Sequence, residues 1–191
     1  MPAHELILGG QRSGKSRCAE ARAAAWLAHG PENSGHAAVL LATALAGDDE
    51  MRARIARHQA DRTQRVAGLA SVEVPRELAA ALRAETAPHR LVLVDCLSLW
   101  LTNLLMPIDG EPLGDDALAE ARDDLCDALA AASGPIVLVS NEIGLGITPL
   151  TREARRFVDD LGRLHQVVAA TCANVTLMVA GIEMPVKRGA S

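Results

Sequence analysis

The sequence predicts an α/β fold with a mostly parallel sheet, and three observations carry that prediction. Short aliphatic runs alternate with longer Ala- and Leu-rich stretches, the order expected when strands and helices take turns. The runs at 37–42, 91–94 and 135–140 are continuously apolar, not apolar at every second residue, as strands buried on both faces should be. The first run, finally, passes straight into a glycine-rich loop and then into a helix-forming stretch.

Taken in order, residues 5–8 form a short strand, and 16–29, rich in alanine, form a helix. Residues 31–36 read as a turn, 37–42 as a second buried strand ending at Thr43, and 48–65 as an Arg-rich charged helix. A short strand is expected at 71–74 and an Ala/Leu helix at 75–85. The run 91–94 is closed by Asp95 and reads as a central strand. Pro, Gly and acidic residues make 107–114 an exposed loop, followed by a helix at 115–132 and a strand at 135–140. Residues 151–173 form a long helix with Phe157, Leu161, Leu164 and Val168 on one face, and 175–180 form the last strand. With no repeat and no long linker, residues 1–191 are expected to be one domain.

Composition narrows the class. The chain is 49% apolar and 23% charged, ordinary for a folded soluble protein. Trp26, Trp100 and Phe157 are its only aromatics, so the core is aliphatic and no stacking platform for single-stranded nucleic acid is expected. A net charge of −5 means that any anion site must be local. Cys18, Cys96, Cys126 and Cys172 lie far apart, which suits a reducing compartment and neither a metal nor a disulfide framework. With no leader-like segment and no apolar run near the ~18 residues of a membrane span, the expected location is the cytoplasm.

The chemistry begins at Gly9-Gly10-Gln11-Arg12-Ser13-Gly14-Lys15-Ser16, a complete Gly-x-x-x-x-Gly-Lys-Ser phosphate-binding loop between a strand and a helix. Backbone amides there form a nest for phosphate oxygens, and the following helix aims its positive end at the same spot. Lys15 is expected to reach the outer phosphates and Ser16 to ligate Mg²⁺. Asp95 stands where a second Mg²⁺ carboxylate belongs, although a strand-terminal Asp can equally cap the next helix. Arg54, His58, Arg62 and Arg65 share one face of the 48–65 helix: either a second phosphate site favouring a neutral, nucleophilic imidazole, or simply a solvated basic face. Ser140-Asn141-Glu142-Ile143-Gly144-Leu145-Gly146 follows a buried strand at the edge where α/β sheets hold ligands, or is a structural turn there. His4, His29, His36, His89 and His165 share no ligand spacing and read as ordinary surface or helix-face residues.

Together these segments resemble a known family. The phosphate loop, Ala42-Thr43, Asp49-Glu-Met-x-x-Arg-Ile-x-x-His58 with Arg62, Val94-Asp95-Cys-Leu-Ser, Leu101-Thr-Asn-Leu-Leu105 and Ser140-Asn-Glu-x-Gly-x-Gly-Ile147 with Pro149 are similar to the bifunctional adenosylcobinamide kinase/adenosylcobinamide-phosphate guanylyltransferases of cobalamin biosynthesis. The resemblance spans residue 5 to about residue 187. It implies a RecA-like sheet, commonly in a trimer, and two reactions. A nucleoside triphosphate, ATP or GTP, first phosphorylates the aminopropanol hydroxyl of adenosylcobinamide. GMP from GTP then passes through a histidine to adenosylcobinamide phosphate, giving adenosylcobinamide-GDP and pyrophosphate. The family's guanylylated histidine falls on His58, and its nucleotide contacts on Gly9–Ser16, Ala42, Thr43, Ala44, Gln59, Ala60, Asp61, Arg62, Glu73 and Asp95.

The chain departs from the family pattern at Thr63, where proline is usual, and at Leu69, where tryptophan is. The stretch from His58 to Glu73 is about three residues longer, and Val158 and His165 replace Arg and Asn. Two rival readings are a simple small-molecule kinase without a covalent step and a nucleotide-hydrolysing switch module. A switch would keep the phosphate loop and Asp95 but have no need for a basic helix bearing His58.

Overall fold

The computed structural model describes residues 3–29 and 35–189, with the side chains of Arg54, His58 and Thr63 outside that description. Its elements are β1 (Glu5–Gly9), α1 (Lys15–Ala28), β2 (Ala37–Ala42), α2 (Asp49–Arg65), β3 (Leu69–Glu73), α3 (Leu78–Glu85) and β4 (Arg90–Asp95). They continue with α4 (Leu97–Leu105), α5 (Asp115–Ala131), β5 (Ile136–Asn141), α6 (Arg152–Thr171), β6 (Asn174–Val179) and β7 (Ile182–Lys187). Most of the turn expected at 31–36 lies outside the described residues.

The strands form one sheet in the order β3-β2-β4-β5-β1-β6-β7. All neighbours run parallel except β6 and β7, which pair antiparallel across the Ala180–Gly181 turn. The expected α/β class therefore holds. Two elements correct the sequence reading. Residues 97–105 form a helix, hidden in the sequence because LSLWLTNLL is apolar almost all round and shows no period. The strand at 174–179 is not the last, because β7 follows it as an edge strand, the position where Pro185 can be tolerated.

The parallel strands are buried on both faces, and alternate residues supply two cores. Leu6, Val39, Leu41, Val92, Val94, Ile136 and Leu138 pack against α3, α4, α5 and α6. Ile7, Leu40, Leu91, Leu93, Val137 and Val139 pack instead against Cys18, Ala19 and Ala23 of α1. Small residues on α1 let it lie close over the sheet. Helix α2 differs: none of its described residues is buried, so it rests outside α1. Asp48 caps it, its Oδ1 accepting from Met51 N at 2.7 Å, with Asp49 and Glu50 in the first turn and Arg62 and Arg65 in the last, all matched to the helix dipole.

Candidate active site

The phosphate loop joins β1 to α1 at the carboxyl edge of the sheet, the edge at which parallel sheets hold ligands. Space dictates Gly9: a β-carbon there would lie 2.6 Å from Met178 O and 2.6 Å from Ser13 Oγ. Gly14 stands at φ +99° as the residue before α1, and no side chain caps that helix. The first-turn N–H groups of α1 are thus left for a ligand, and its first turn holds no acidic residue to compete. Lys15 is 7% exposed, and its Nζ donates to Gly10 O at 2.7 Å and reaches Ser13 Oγ at 3.5 Å. Burial lowers its pKa, with the Cys96 and Asp95 charges working the other way. An ammonium this buried, folded onto its own loop with no carboxylate within ion-pair reach among the described residues, is positioned for an anionic ligand. Ser16 is half-buried beside it, and Gln11 and Arg12 are exposed on the loop.

Asp95 ends β4, and Ala42 and Glu73 lie level with it in register across β2 and β3. Asp95 and Ala42 are half-buried, and Glu73 is exposed on the edge strand. The residue preceding α4 is Cys96 and no side chain caps the helix, so the capping alternative for Asp95 does not apply. Thr43 is fully buried: its Oγ1 donates to Cys96 O at 2.7 Å and accepts from Cys96 N at 2.8 Å, while its N–H donates to Asp95 O at 3.1 Å. Asn103 Nδ2 in turn donates to Thr43 O at 2.7 Å. Thr43 therefore fixes the Asp95–Cys96 corner, its hydroxyl already occupied. Ala44 is half-buried just beyond it.

Between the phosphate-loop strand and the Asp95 strand lies β5, whose tip carries Ser140, Asn141 and Glu142. Asn141 is held by Ser98 Oγ, and Glu142 N donates to Gly9 O at 2.9 Å, tying this tip to the phosphate loop. His165, expected on the surface or on a helix face, lies on the buried face of α6, 7% exposed. Its Nε2 lies 2.8 Å from the buried Ser140 Oγ and its Nδ1 3.4 Å from Glu142 Oε2. Burial lowers its pKa, with Glu142 partly opposing. The signal was present in the spacing: residue 165 is four after Leu161 and three before Val168, on the apolar face of α6. His4 likewise proves buried, whereas His29 and His89 are exposed and half-buried His36 stacks on Trp26 at 4.2 Å.

Helix α2 carries the backbone of Arg54, His58, Gln59, Ala60, Asp61 and Arg62. Gln59 and Ala60 are exposed, and Asp61 is ion-paired to Arg65 at 3.1 Å. The basic face read from the spacing is partly neutralised. Arg65 Nη1 donates to buried Glu20 of α1 at 2.6 Å, and Arg62 Nε lies 3.5 Å from the same carboxylate without a hydrogen bond. Those two arginines serve as the anchor of α2 on α1, the contact that its lack of buried apolar residues requires.

Residues 5–186 match the family model described as cobinamide kinase / cobinamide phosphate guanyltransferase. A Pseudomonas aeruginosa protein named bifunctional adenosylcobalamin biosynthesis protein CobP is 49% identical over 96% of both chains. Proteins named bifunctional adenosylcobalamin biosynthesis protein CobU are 37% identical in Salmonella typhimurium and 35% identical in Escherichia coli, each over 95% of this chain and 98% of the relative. With its phosphate loop, its strand-end aspartate and a match of this extent, the chain belongs to the cobinamide kinase / cobinamide phosphate guanyltransferase family.

Proposed function

We propose that this bifunctional enzyme runs both of its reactions on the one cradle at Gly9–Ser16, and that His58 is the covalent carrier of the second. The observation that carries the reading is Lys15, a buried cation whose near contacts are its own loop's carbonyl and hydroxyl. A triphosphate supplies the missing negative charge whichever of its phosphorus atoms reacts. ATP or GTP serves the kinase step and GTP the transfer of GMP. Gly9, Gly10, Gln11, Arg12, Ser13 and Gly14 contribute the backbone nest, and Ala42, Ala44, Gln59, Ala60, Asp61, Arg62 and Glu73 surround the nucleoside side. Thr43 acts by positioning Asp95 rather than by touching nucleotide.

Ser16 and Asp95 are half-buried oxygen donors at the same edge, the hard ligand chemistry that Mg²⁺ takes when phosphates and water complete its shell. Bound there, the ion would offset phosphate charge. In the kinase step the acceptor's hydroxyl oxygen attacks the γ-phosphorus, the nucleoside diphosphate departs and the hydroxyl proton is released. In the second reaction a neutral His58 imidazole nitrogen attacks the α-phosphorus of GTP, a P–N bond forms and pyrophosphate departs. A phosphate oxygen of the acceptor then attacks the same phosphorus and the imidazole leaves. Buried Lys15 and the nest hold the charge that moves between these oxygens.

The compartment we assign is the cytoplasm, consistent with four free cysteines. No helix among the described residues is long and apolar enough to cross a membrane. A trimer of this chain is the expected assembly, and β7 offers exposed Ile182, Met184 and Val186 along the sheet edge.

The decisive experiment uses GTP labelled at the α-phosphorus. Wild-type protein keeps acid-labile, alkali-stable label after denaturation, and His58→Ala keeps none while retaining more than about a tenth of its kinase rate. Covalent label on His58→Ala, or equal loss of both reactions in a folded variant, would remove His58 from the role.

A further inference from the structure

Helix α6 begins with an arrangement that its own electrostatics disfavours. Thr151 caps it, and Arg152, Arg155 and Arg156 follow in its first two turns, where the helix dipole is positive. These arginines line a cavity of about 550 Å³ between the N-terminal parts of α5 and α6, together with Arg122 and Arg163. Asp115, Asp159 and Asp160 line it as well, so cations exceed anions by two in a chain of net charge −5. Arg156 is paired with Asp115 and Asp160, and Arg163 with Asp160. Arg155 Nη1 donates to Pro149 O and Leu150 O, and its guanidinium has no carboxylate partner among the described residues. Arg122 and Arg152 have no carboxylate partner among the described residues.

A second crevice of about 140 Å³ adjoins the first through Arg155 and Asp159 and is lined by Ile143, Ile147, Pro149 and Val158. The loop above it bares Leu145 at 81%, Ile147 at 95% and Leu150 at 94% exposure, and neither side chain nor backbone of the fold covers them. That loop springs from Glu142, whose N–H is bonded to Gly9 O, so cavity, crevice and phosphate loop share one edge of the molecule. Cationic and apolar surfaces side by side suit a ligand with a bulky, weakly polar body and a phosphate.

We propose that this groove seats the acceptor, its body on the 143–150 loop and its phosphate against the α5–α6 arginines. The inference rests on the family activity. Its consequence is directional: the acceptor is neutral at its hydroxyl before the kinase step and carries a phosphate dianion after it, so the arginines retain the intermediate for guanylylation.

The test is steady-state kinetics on the full chain with three substrates: cobinamide, cobinamide phosphate and GTP. Arg122→Gln/Arg152→Gln should raise KM for cobinamide phosphate at least tenfold, leaving KM for GTP and for unphosphorylated cobinamide within twofold. Leu145→Asp/Ile147→Asp, at exposed positions where folding is indifferent, should raise KM for both acceptor forms alike and spare GTP. An unchanged KM for cobinamide phosphate in the arginine variant, or a matching rise for GTP, overturns the proposal and assigns the cavity to nothing or to nucleotide. If the wild-type enzyme turns over neither acceptor, the family activity itself fails and the inference falls with it. Wild-type turnover with unaffected variants sinks only the groove.

Discussion

His4 shows how much a single residue's bonds can dictate. Its Nδ1 lies 3.2 Å from Ile136 N, a group that can only donate, and its Nε2 lies 3.0 Å from Leu129 O, which can only accept. The ring must therefore be neutral with its proton on Nε2, because a second proton would face the Ile136 N–H. Burial lowers its pKa below the ordinary 6.5, with the Leu129 bond opposing, and burial lowers that of His165 too. The sign follows from linkage: below about pH 6.5 the unfolded chain takes up protons that the folded one refuses. Stability should thus be full near neutrality and fall on acidification, by at most about 1.4 kcal/mol per pH unit for each histidine. Urea midpoints between pH 7.5 and 5 check this, and His4→Gln, which can still donate and accept, should flatten the slope. An unchanged slope would show that His4 does not titrate in this window.

Among the elements, the entry to β5 is the tightest joint. A β-carbon on Gly134 would lie 2.0 Å from Ala87 O and 2.5 Å from Arg90 O, both backbone atoms. Thr86 Oγ1 also accepts from Ser133 N and Gly134 N, pinning this turn to the start of β4. Gly134→Ala should cost about 3 kcal/mol, at the upper end of overpacking, measured as a loss in thermal or urea stability. A loss under about 1 kcal/mol would mean that the turn yields freely. The buried parallel strands and the loop at Gly9–Ser16 were legible in the sequence, because a strand buried on both faces and a nest of glycines each leave a local signature. Helix α4 was not, since a helix apolar all round carries no period. Strand β7 was not, since an edge strand with a proline lacks the usual marks. The Ser140–His165–Glu142 contact joins residues of β5, its tip and α6, and sequence spacing cannot measure such distances.

At the scale of the whole molecule, the proposed function has two reactions drawing on one phosphate site. Of the lysines, Lys15 alone belongs to a phosphate loop, and Lys187 is occupied by the carbonyls at the end of α6. Lys15→Ala should therefore reduce phosphorylation and guanylylation together, each by at least about a hundredfold, the scale on which loss of a group that stabilises transition-state charge is felt. Separate assays of the two steps decide the matter. Either step persisting near the wild-type rate would require a second nucleotide site. The acidic remainder of the surface then discourages stray polyanions, leaving the cradle and the arginine groove as local exceptions.

The position of β1 has a bearing on how this protein comes into being. Its hydrogen-bonding neighbours are residues 137–141 on one side and 174–178 on the other. Gly181 N closes onto Ser13 O at 3.0 Å, and Glu183 reaches back to Cys18 and Arg22. Both partners follow β1 in the chain, residues 137–141 by about 130 residues and residues 174–178 by about 170, so β1 leaves the ribosome well before either. The nascent strand has no sheet neighbour until β5 is made, a long-range closure of the kind that folds slowly and invites chaperone attention. The neighbours that hold the phosphate loop are thus in place only late, and a chain cut short before β5 would lack the strand that seats β1 in the sheet.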